Sequence, residues 1–258
     1  MKTIRELYDY RTMISSLIKR ELRGRYKGSV LGFAWTFINP LLQLLVYTLV
    51  FSTIMRAGIE DYYLFLFVAL MPWIFFANSV AGGTSCITGQ KEMVSKIYFP
   101  REVLPLSYVT YELVNFLLTL LVVIAVVIVS GKGLNPLALL CLPVVIIAEY
   151  LLALGLTFIT SSVMVYFRDM ANIMGIITMA WQFLTPVMYS VDMVPEELRG
   201  IFYLNPMTPI IIAYRDILYF GQVPELRNLL HGFFLSLALI VIGWFTFGKL
   251  KKHFAEEL

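Results

Sequence analysis

The chain is built from long apolar runs, each about as long as a helix must be to cross the hydrocarbon core of a bilayer. Such a helix needs about 20 mainly apolar residues. Six runs reach this length, at 33–55, 62–88, 103–130, 134–167, 170–191 and 229–248. A water-soluble core does not need such runs, and 59% of the residues are hydrophobic while only 14% are charged. The sequence therefore predicts an all-α membrane protein with six transmembrane helices.

Two apolar segments depart from a simple spanning helix. The run at 134–167 is longer than a bilayer requires, so we expect a tilted or broken helix there. A further apolar piece at 201–220 is interrupted by Pro206 and Pro209, and its two short halves cannot each cross the bilayer. We expect an external, re-entrant helical hairpin within 192–227, before the last span. Because such backbone needs protein or water around it, the hairpin should border the transport path.

The basic residues are sorted between the two faces of this topology. Fifteen of the 20 Lys and Arg residues lie on the face that carries both termini, and five lie on the other. Because basic loops are retained in the cytoplasm, both termini are assigned to the cytoplasmic side of a bacterial inner membrane. We expect one transmembrane domain, 1–258, divided into a cytoplasmic or interfacial amphipathic segment at 1–32, a six-span bundle at 33–250 and a cytoplasmic tail at 251–258.

The segment before the first span has the pattern of an amphipathic helix. Its apolar residues recur at helical spacing, and its polar and basic residues fall on the opposite side. The apolar positions are Ile4, Leu7, Tyr8, Ile14, Leu17, Ile18 and Leu22. Two interpretations remain open, and both can hold at once: the helix lies on the anionic inner leaflet, or it packs against a soluble partner.

Several classes of function lack their signatures in this chain. The sequence contains no phosphate-binding loop, no His-Glu-x-x-His motif and no Gly-x-Ser-x-Gly motif. Cys86 and Cys141 lie in apolar stretches without metal-ligand spacing, so they are interpreted as small buried hydrophobes. With a net charge of only +3 and with the basic residues sorted by topology, nucleic acid is not an expected partner. A transport role driven by nucleotide would need a separate ATPase chain.

The segment 90–102 joins the second and third spans on the cytoplasmic side. It mixes charged residues with apolar ones and ends its predicted short helix before Pro100. A short charged helix with an apolar face suits a lever that fits a groove on another protein. From the residues alone, an ordinary solvated loop with a membrane-anchored face is the slightly preferred interpretation.

Glu112 and Glu149 fall near the middle of the third and fourth spans. A carboxylate at that depth costs roughly 2.5–3.5 kcal/mol or more unless it is paired or hydrated, so each is a candidate functional group. Proton coupling is one hypothesis. The preferred alternative is a hydrogen-bonded carboxyl that joins helices, because one acid per span without a basic partner makes a poor relay.

Aromatic residues make up 15% of the chain and are dense in the first, second and fifth spans. Most are expected to pack or to lie at the membrane interfaces. Aromatic faces could also line a path along which sugar rings slide. The candidate lining residues are Trp35, Tyr47, Phe51, Trp73, Phe76, Trp181 and Phe183.

Four short stretches resemble the permease subunits of type-2 ABC exporters that move lipid-linked polysaccharides, such as O-antigen and teichoic acid exporters. The resemblance covers nearly the whole chain, and the order and spacing of the stretches make it specific. The stretches are Arg25-Tyr26-Lys27-Gly28-Ser29-Val30-Leu31-Gly32 with Trp35 and Asn39-Pro40, Phe99-Pro100-Arg101-Glu102 with Leu104-Pro105, Phe167-Arg168-Asp169, and Asn205-Pro206 through Tyr214-Arg215.

The resemblance implies a permease homodimer with two copies of a separate ABC ATPase, which would bind ATP and Mg²⁺. It also implies a channel between the two permeases, lined by the first, second and fifth spans, for a lipid-linked glycan. The chain itself would need no cofactor. Coupling to the ATPase is implied for Gln90, Lys91, Glu92, Lys96, Tyr98, Phe99, Pro100, Arg101, Glu102, Arg168 and Asp169.

Arg23, Arg25 and Lys27 are placed where a carrier pyrophosphate would arrive, although charge sorting alone also explains this cluster. Three alternatives differ in class. A drug or small-lipid exporter of the same superfamily would need a narrow apolar conduit. A polytopic transferase would need paired acids or a histidine near a membrane face. A proton-coupled carrier would use Glu112 and Glu149 and would work without an ATPase.

Overall fold

The computed structural model describes residues 2–24, 31–50 and 58–258, and the regular secondary structure in these ranges is entirely helical. The predicted all-α class is therefore confirmed. The α-helices are α1 (Lys2–Asp9), α2 (Arg11–Gly24), α3 (Trp35–Thr48), α4 (Tyr62–Ala77), α5 (Lys91–Lys96), α6 (Val103–Val129), α7 (Pro136–Leu139), α8 (Leu142–Tyr166), α9 (Met170–Phe183), α10 (Glu196–Leu204), α11 (Met207–Leu218), α12 (Leu226–Leu250) and α13 (Phe254–Glu257).

Four helical segments in the described part of the chain are long and apolar enough to cross a membrane. They are Tyr62–Gly82, Val103–Val129, Pro136–Tyr166 and Leu226–His253, and they correspond to the second, third, fourth and sixth predicted spans. Helix α9, in the fifth predicted span, has 14 residues and extends about 21 Å, which is shorter than the hydrocarbon core of about 30 Å. In the first predicted span, α3 also has 14 residues, but helical turns flank it from residue 32 to residue 50, the last one described before 58. The count of six spans stays a prediction.

The long fourth run is broken, as its length predicted. Short helix α7 begins after Asn135, whose side chain accepts a hydrogen bond from the Leu137 amide at 3.0 Å. A turn at 140–141 then separates α7 from α8. This amide–side-chain contact satisfies one of the donors that a helix start leaves free.

Helix α4 forms the centre of the bundle. Nearly every one of its side chains is buried, including those of Trp73 and Phe76. The helix passes into a π-helical turn, Asn78–Gly82, whose Ser79 carbonyl accepts a hydrogen bond from the Thr157 hydroxyl at 2.9 Å. A Cβ atom on Gly83 would lie 2.6 Å from Thr157 Cγ2, so a glycine here lets α8 approach the irregular turn.

Helix α12 lies at the periphery and packs mainly along α8. The two backbones meet at a pair of glycines, because a Cβ atom on Gly243 would lie 2.2 Å from the Gly155 carbonyl oxygen. Small residues allow such close contact between helices in a membrane. The outer face of α12 exposes large apolar side chains, among them Phe234 and Phe245, and it suits contact with lipid.

The segment predicted to form a hairpin contains two helices, α10 and α11, that meet at Asn205-Pro206. Helix α11 is almost wholly buried, in contact with α4, α8 and α12. The Asn205 amide donates to the Leu184 carbonyl at 3.1 Å and to the Thr185 hydroxyl at 2.9 Å. These bonds attach the α10–α11 turn to the end of α9. The re-entrant, external position of this helix pair stays a prediction.

Candidate functional site

The 90–102 segment contains a short helix, α5, with one apolar residue turned inward. Val94 is buried, whereas Lys91, Glu92 and Lys96 are exposed. Lys96 and Glu92 form an ion pair at 3.6 Å, but both side chains are mostly in solvent, so the pair adds little stability. Gln90 ends the short 3₁₀ turn before α5. The exposed face of α5 is thus charged and free to meet another surface.

The second half of the 90–102 segment turns back into the protein. Tyr98 is 84% exposed, but its neighbour Phe99 is buried. Pro100 and Arg101 are half-buried, and they lead to Glu102 at the start of α6. Some of the residues predicted to couple to a partner, such as Tyr98, are therefore exposed. Others, such as Phe99 and Glu102, are buried and hold the segment in the bundle.

Glu102 is buried and forms an ion pair with Lys251, from the end of the chain. Its second oxygen, Oε2, has no hydrogen-bond partner in the described ranges. A buried carboxylate with one cationic partner is costly to leave unpaired. Lys251 therefore holds the start of α6, and with it the 90–102 segment, to the end of α12.

The C-terminal segment, residues 251–258, joins the two regions that were predicted to meet a partner. Its Phe254 is fully buried, with ring centroids 5.5 Å from Phe247 and 6.3 Å from Tyr166. The Tyr166 hydroxyl donates to the Leu250 carbonyl at 2.8 Å. Helix α13 contacts both α5 and α8.

Arg168 and Asp169 are exposed in the turn that follows α8, just after Tyr166. The same end of the bundle thus holds α5, the α8–α9 turn and the C-terminal segment. We call it the C-terminal end of the bundle. The sequence analysis did not predict that Lys251 pairs with Glu102 or that Phe254 packs against Phe247 and Tyr166. It used Lys251 only to assign the cytoplasmic side.

The amphipathic N-terminal helix packs on its own chain. Helix α2 contacts α6, and its Leu17 is buried there. Tyr10, in the turn between α1 and α2, reaches the C-terminal end of the bundle, where its hydroxyl donates to the Tyr98 carbonyl at 3.4 Å. A cavity of about 260 Å³ lies between them, lined by Glu6, Tyr10, Tyr98, Phe99, Pro100, Arg101, Lys251 and Lys252. Part of the apolar stripe therefore packs against the bundle of its own chain. The sequence analysis had considered only the membrane surface and a separate soluble partner.

The proposed pyrophosphate cluster is described only in part. Arg23 is exposed near the end of α2. Arg25 and Lys27 lie outside the described residues, and the same is true of the predicted lining residue Phe51. A contact with a carrier phosphate stays a prediction for all three basic residues.

The predicted channel aromatics divide into two groups by burial. Trp73 and Phe76 are enclosed, and Phe76 meets the Trp181 ring edge to face at 5.2 Å. Trp181 also donates from Nε1 to Asn205 Oδ1 at 2.9 Å. Trp35 and Phe183 are exposed and Tyr47 is half-buried. Trp73 and Phe76 therefore pack inside the bundle, and the half-buried Trp181 braces α9 against α4 and the α10–α11 turn. The exposed Trp35 and Phe183 are accessible without rearrangement.

The two intramembrane acids have different surroundings. Glu149 is fully buried and accepts a hydrogen bond from the Tyr214 hydroxyl at 2.7 Å. This contact joins α8 to α11 and agrees with the interpretation of a hydrogen-bonded carboxyl. Tyr150, the next residue along α8, instead shares a 2.8 Å hydrogen bond with Thr110. The sequence did not point to Tyr214, because 65 residues separate it from Glu149 and no pattern links the two helices.

Arg215 is a second interior group, which the sequence analysis had named only within the predicted external hairpin. It is buried, and its guanidinium donates to the carbonyls of Val187 at 2.6 Å and Tyr189 at 3.0 Å. Its Cζ atom lies 3.6 Å from the Phe65 ring centroid, in a cation–π contact. Arg215 therefore holds the segment after α9 against α11 and α4, although its charge alone suggested a surface position.

A polar cavity of about 350 Å³ opens between α3, α4 and α6. Its inner wall is formed by Glu112, Asn115 and Thr119, which are buried. The full lining consists of Trp35, Thr36, Asn39, Pro40, Leu42, Gln43, Met71, Ile74, Phe75, Asn78, Glu112, Asn115, Phe116 and Thr119. The signal in the sequence was the spacing of Thr36, Asn39 and Gln43, which places polar side chains on one face of a helix within an apolar run.

The long apolar helices define the fold as that of a multi-pass membrane protein. The sequence contains no phosphate-binding loop. Residues 12–219 match the family model described as ABC-2 type transporter. The chain is 37% identical over 260 residues to the O-antigen export system permease protein RfbA of Myxococcus xanthus, covering 100% of both chains. A protein of the same name from Klebsiella pneumoniae is 33% identical, over 98% of this chain and 96% of its own.

A more distant relative is the capsule polysaccharide export inner-membrane protein CtrC of Neisseria meningitidis serogroup A, which is 22% identical over 93% of this chain and 91% of its own. The chain belongs to the ABC-2 type transporter family. The resemblance inferred from the four short stretches is therefore confirmed.

Proposed function

We propose that this chain is the membrane-spanning subunit of an ATP-driven exporter that moves a polyprenyl-linked polysaccharide, such as O-antigen, teichoic acid or a similar glycan, across the cytoplasmic membrane. The carrying observation is the 37% identity over the full length to an O-antigen export permease. Capsule export proteins match over most of the chain as well. The alternative is a drug or small-lipid exporter of the same superfamily. The relatives described above are all named for polysaccharide export, which favours the first function.

The proposed assembly is a permease homodimer with two ABC ATPase chains that bind ATP and Mg²⁺. The absence of a phosphate-binding loop from the sequence supports a separate ATPase. In this arrangement α3 and α9 complete six spans, both termini are cytoplasmic, and this chain performs no covalent chemistry. The excess of Lys and Arg at the C-terminal end of the bundle supports that orientation.

The coupling mechanism that we propose starts at α5. A partner that moves the exposed charged face of α5 also moves Phe99 and Glu102, because these residues anchor the same segment in the bundle. The Glu102–Lys251 ion pair passes the displacement to the end of α12. Arg168 and Asp169 offer the partner a second exposed contact at the same end.

The proposed glycan path runs between the two permeases. Its lining from this chain is Trp35, Tyr47 and Phe183, with Phe51 outside the described residues. Trp73 and Phe76 are buried, so they would reach cargo only if α4 moves away from its neighbours. Trp181 is half-buried against Phe76 and would be reached in part. The exposed Arg23, with Arg25 and Lys27, remains the proposed contact for the carrier pyrophosphate.

Reconstitution tests the proposal. The permease, an ABC ATPase encoded by a neighbouring gene and the host's own polyprenyl-linked glycan are placed in vesicles. Glycan that crosses the membrane is quantified. We expect transport that requires ATP and that stops when the phosphate-loop lysine of the ATPase is replaced. Transport that follows a proton gradient without the ATPase would instead establish a proton-coupled carrier.

The coupling residues are tested in the same vesicles. Arg101→Ala and Glu102→Ala should leave ATP hydrolysis measurable while glycan export falls. Lys252→Ala, at an exposed position of the same end, serves as the control. Full export by both variants would remove the coupling role from this segment.

A further inference from the structure

The cavity between α3, α4 and α6 is lined by polar side chains, although the helices around it are mainly apolar. Helices α4 and α6 are apolar enough to span a membrane, yet polar side chains from both meet those of α3 around one space. The polar lining residues are Thr36, Asn39, Gln43, Asn78, Glu112, Asn115 and Thr119. Polar residues inside a membrane domain are costly and typically mark a ligand or ion path.

Asn115 gives the clearest sign that the cavity receives a polar occupant. Its residue is 5% exposed, and neither Nδ2 nor Oδ1 has a hydrogen-bond partner in the part of the chain that the structure describes. Thr119, one turn along α6, donates to the Asn115 carbonyl at 2.7 Å rather than to its amide. Buried amides are nearly always satisfied, and lipid offers no hydrogen bonds. An amide that lines an open cavity with both polar atoms unpaired therefore points to a polar group that enters this cavity.

The side chains that line the cavity favour an uncharged hydroxyl-bearing ligand over a phosphate group. An amide both donates and accepts, which matches a hydroxyl group, and Asn39 and Gln43 add two more amides at the exposed rim. Trp35, Phe75 and Phe116 supply flat apolar surfaces beside these groups. Among the described lining residues none is basic, so a phosphate or pyrophosphate group has no cation to pair with there. Hydroxyls next to apolar ring faces are the features of an uncharged sugar.

The size and opening of the cavity are compatible with such a group. A volume of about 350 Å³ holds roughly ten water molecules, and a single sugar ring is smaller than that. Leu42 lines the cavity and is 52% exposed, so the space opens on the outer side of α3. A cargo beside α3 could therefore enter without rearrangement of the core.

We propose that this cavity is a binding subsite for one uncharged, hydroxyl-rich sugar unit of the exported glycan, with Asn115 as its innermost hydrogen-bonding group. The inference rests on the proposed function. It adds a holding point within the membrane domain, which shares Trp35 with the exposed aromatic lining. The exposed Arg23 is not part of it.

Site-specific photocrosslinking tests occupancy directly. Benzoylphenylalanine is introduced at Leu42 in cells that make the glycan and in otherwise identical cells that cannot. We expect a crosslinked product that reacts with glycan antibody only in the first strain. The matched control carries the label at Phe234, which is 62% exposed on the outer face of α12. Crosslinks from Leu42 only to phospholipid, or only to a second copy of the permease, would overturn the proposal.

Replacement of the inner amide tests its contribution to transport. Asn115→Leu should reduce glycan export at least tenfold in reconstituted vesicles, while ATP hydrolysis and the melting temperature of the complex are retained. Removal of an unsatisfied buried amide cannot destabilise the fold through a lost internal hydrogen bond. Asn228→Leu is the control, because its amide donates to Glu225 at 3.0 Å near the surface and does not line this cavity.

The outcomes separate the two proposals. Normal export by Asn115→Leu would remove the subsite and leave the export function standing. An unmodified permease that moves no glycan with its ATPase would instead contradict the export function itself.

Discussion

The interior of the bundle and its C-terminal end bury charged residues in different ways. In the interior, Glu149 is held by the neutral hydroxyl of Tyr214, and Arg215 by two backbone carbonyls. At the C-terminal end, Glu102 is held by a full opposite charge, Lys251. Separation of the end pair would leave Glu102 buried and unpaired, but Lys251 is 30% exposed, so water can solvate the lysine more readily than it can reach the interior groups. The difference suggests a rigid interior and a movable end.

Arg215→Met should have the largest effect on stability. The change keeps an unbranched side chain over Phe65 but leaves the Val187 and Tyr189 carbonyls without their donor. Unsatisfied buried groups cost about 1–3 kcal/mol each, so we expect a loss of about 3 kcal/mol. Thermal unfolding of the purified protein in detergent measures it. Arg227→Met, on the exposed start of α12, should be close to neutral, and an equal loss in both variants would contradict a specific role.

Lys251→Met should have the next largest effect, and its effect should fall mainly on coupling. Glu102 would be buried without its cation, but the pair is 30% exposed on the lysine side, so we expect a loss of only about 2 kcal/mol. Glycan export should drop about tenfold relative to ATP hydrolysis, as a ratio of the two rates in vesicles.

The double variant Glu102→Leu/Lys251→Met sharpens this comparison. Replacement of both charges by apolar groups is often neutral, so the melting temperature should recover. Export should not recover, because the reversible pair is missing. Recovery of both quantities would show that the pair serves stability alone.

Tyr214→Phe should have a smaller effect, limited to the interior. The variant removes one hydroxyl donor from Glu149 and retains the ring, which lies 6.0 Å from Phe116 between centroids. We expect a loss of about 1–2 kcal/mol and an unchanged ratio of export to ATP hydrolysis. Thr110→Val, which affects the neighbouring Tyr150 contact, provides a comparison for a half-buried bond. A tenfold loss of proton-dependent transport would instead favour the carrier hypothesis.

Lys132→Gln should have the smallest effect, and it should depend on pH. Burial lowers the pKa of the Lys132 ammonium, but the Tyr219 hydroxyl and the Asp61 carboxylate, 3.4 Å away, outweigh it and hold the pKa above its ordinary value. A raised folded-state pKa stabilises the protein below the unfolded value of about 10.4, and the contribution disappears as the pH rises through the folded value.

The expected difference in melting temperature between wild type and Lys132→Gln is therefore small at neutral pH and absent above the folded pKa. Both groups are partly exposed, so the contribution stays below about 1 kcal/mol. Lys252→Gln should show no such trend with pH. A difference that grows as the pH rises would mean that folding lowers the pKa of Lys132 instead of raising it.

The comparison also explains which residues sequence reasoning could identify. Local spacing showed the amphipathic α2 and the short helix α5, because each depends on neighbours within a few residues. The length of the 134–167 run indicated a tilted or broken helix but did not locate the turn at 140–141. The partners of Glu149 and Glu102 lie 65 and 149 residues away. Arg215 appeared as an external charge, since hydropathy records what a residue is and not which carbonyls surround it.

The sequence by itself determined the helical class, the apolar segments, the sorting of basic residues and the family. These properties follow from composition, periodicity and short motifs, which are local. Only the tertiary structure decided that Trp73 and Phe76 are buried while Trp35 is exposed, that Lys251 pairs with Glu102, and that polar residues of three helical segments share one cavity. Helical periodicity predicts which side chains share a face, whereas the packing of distant helices decides what that face meets.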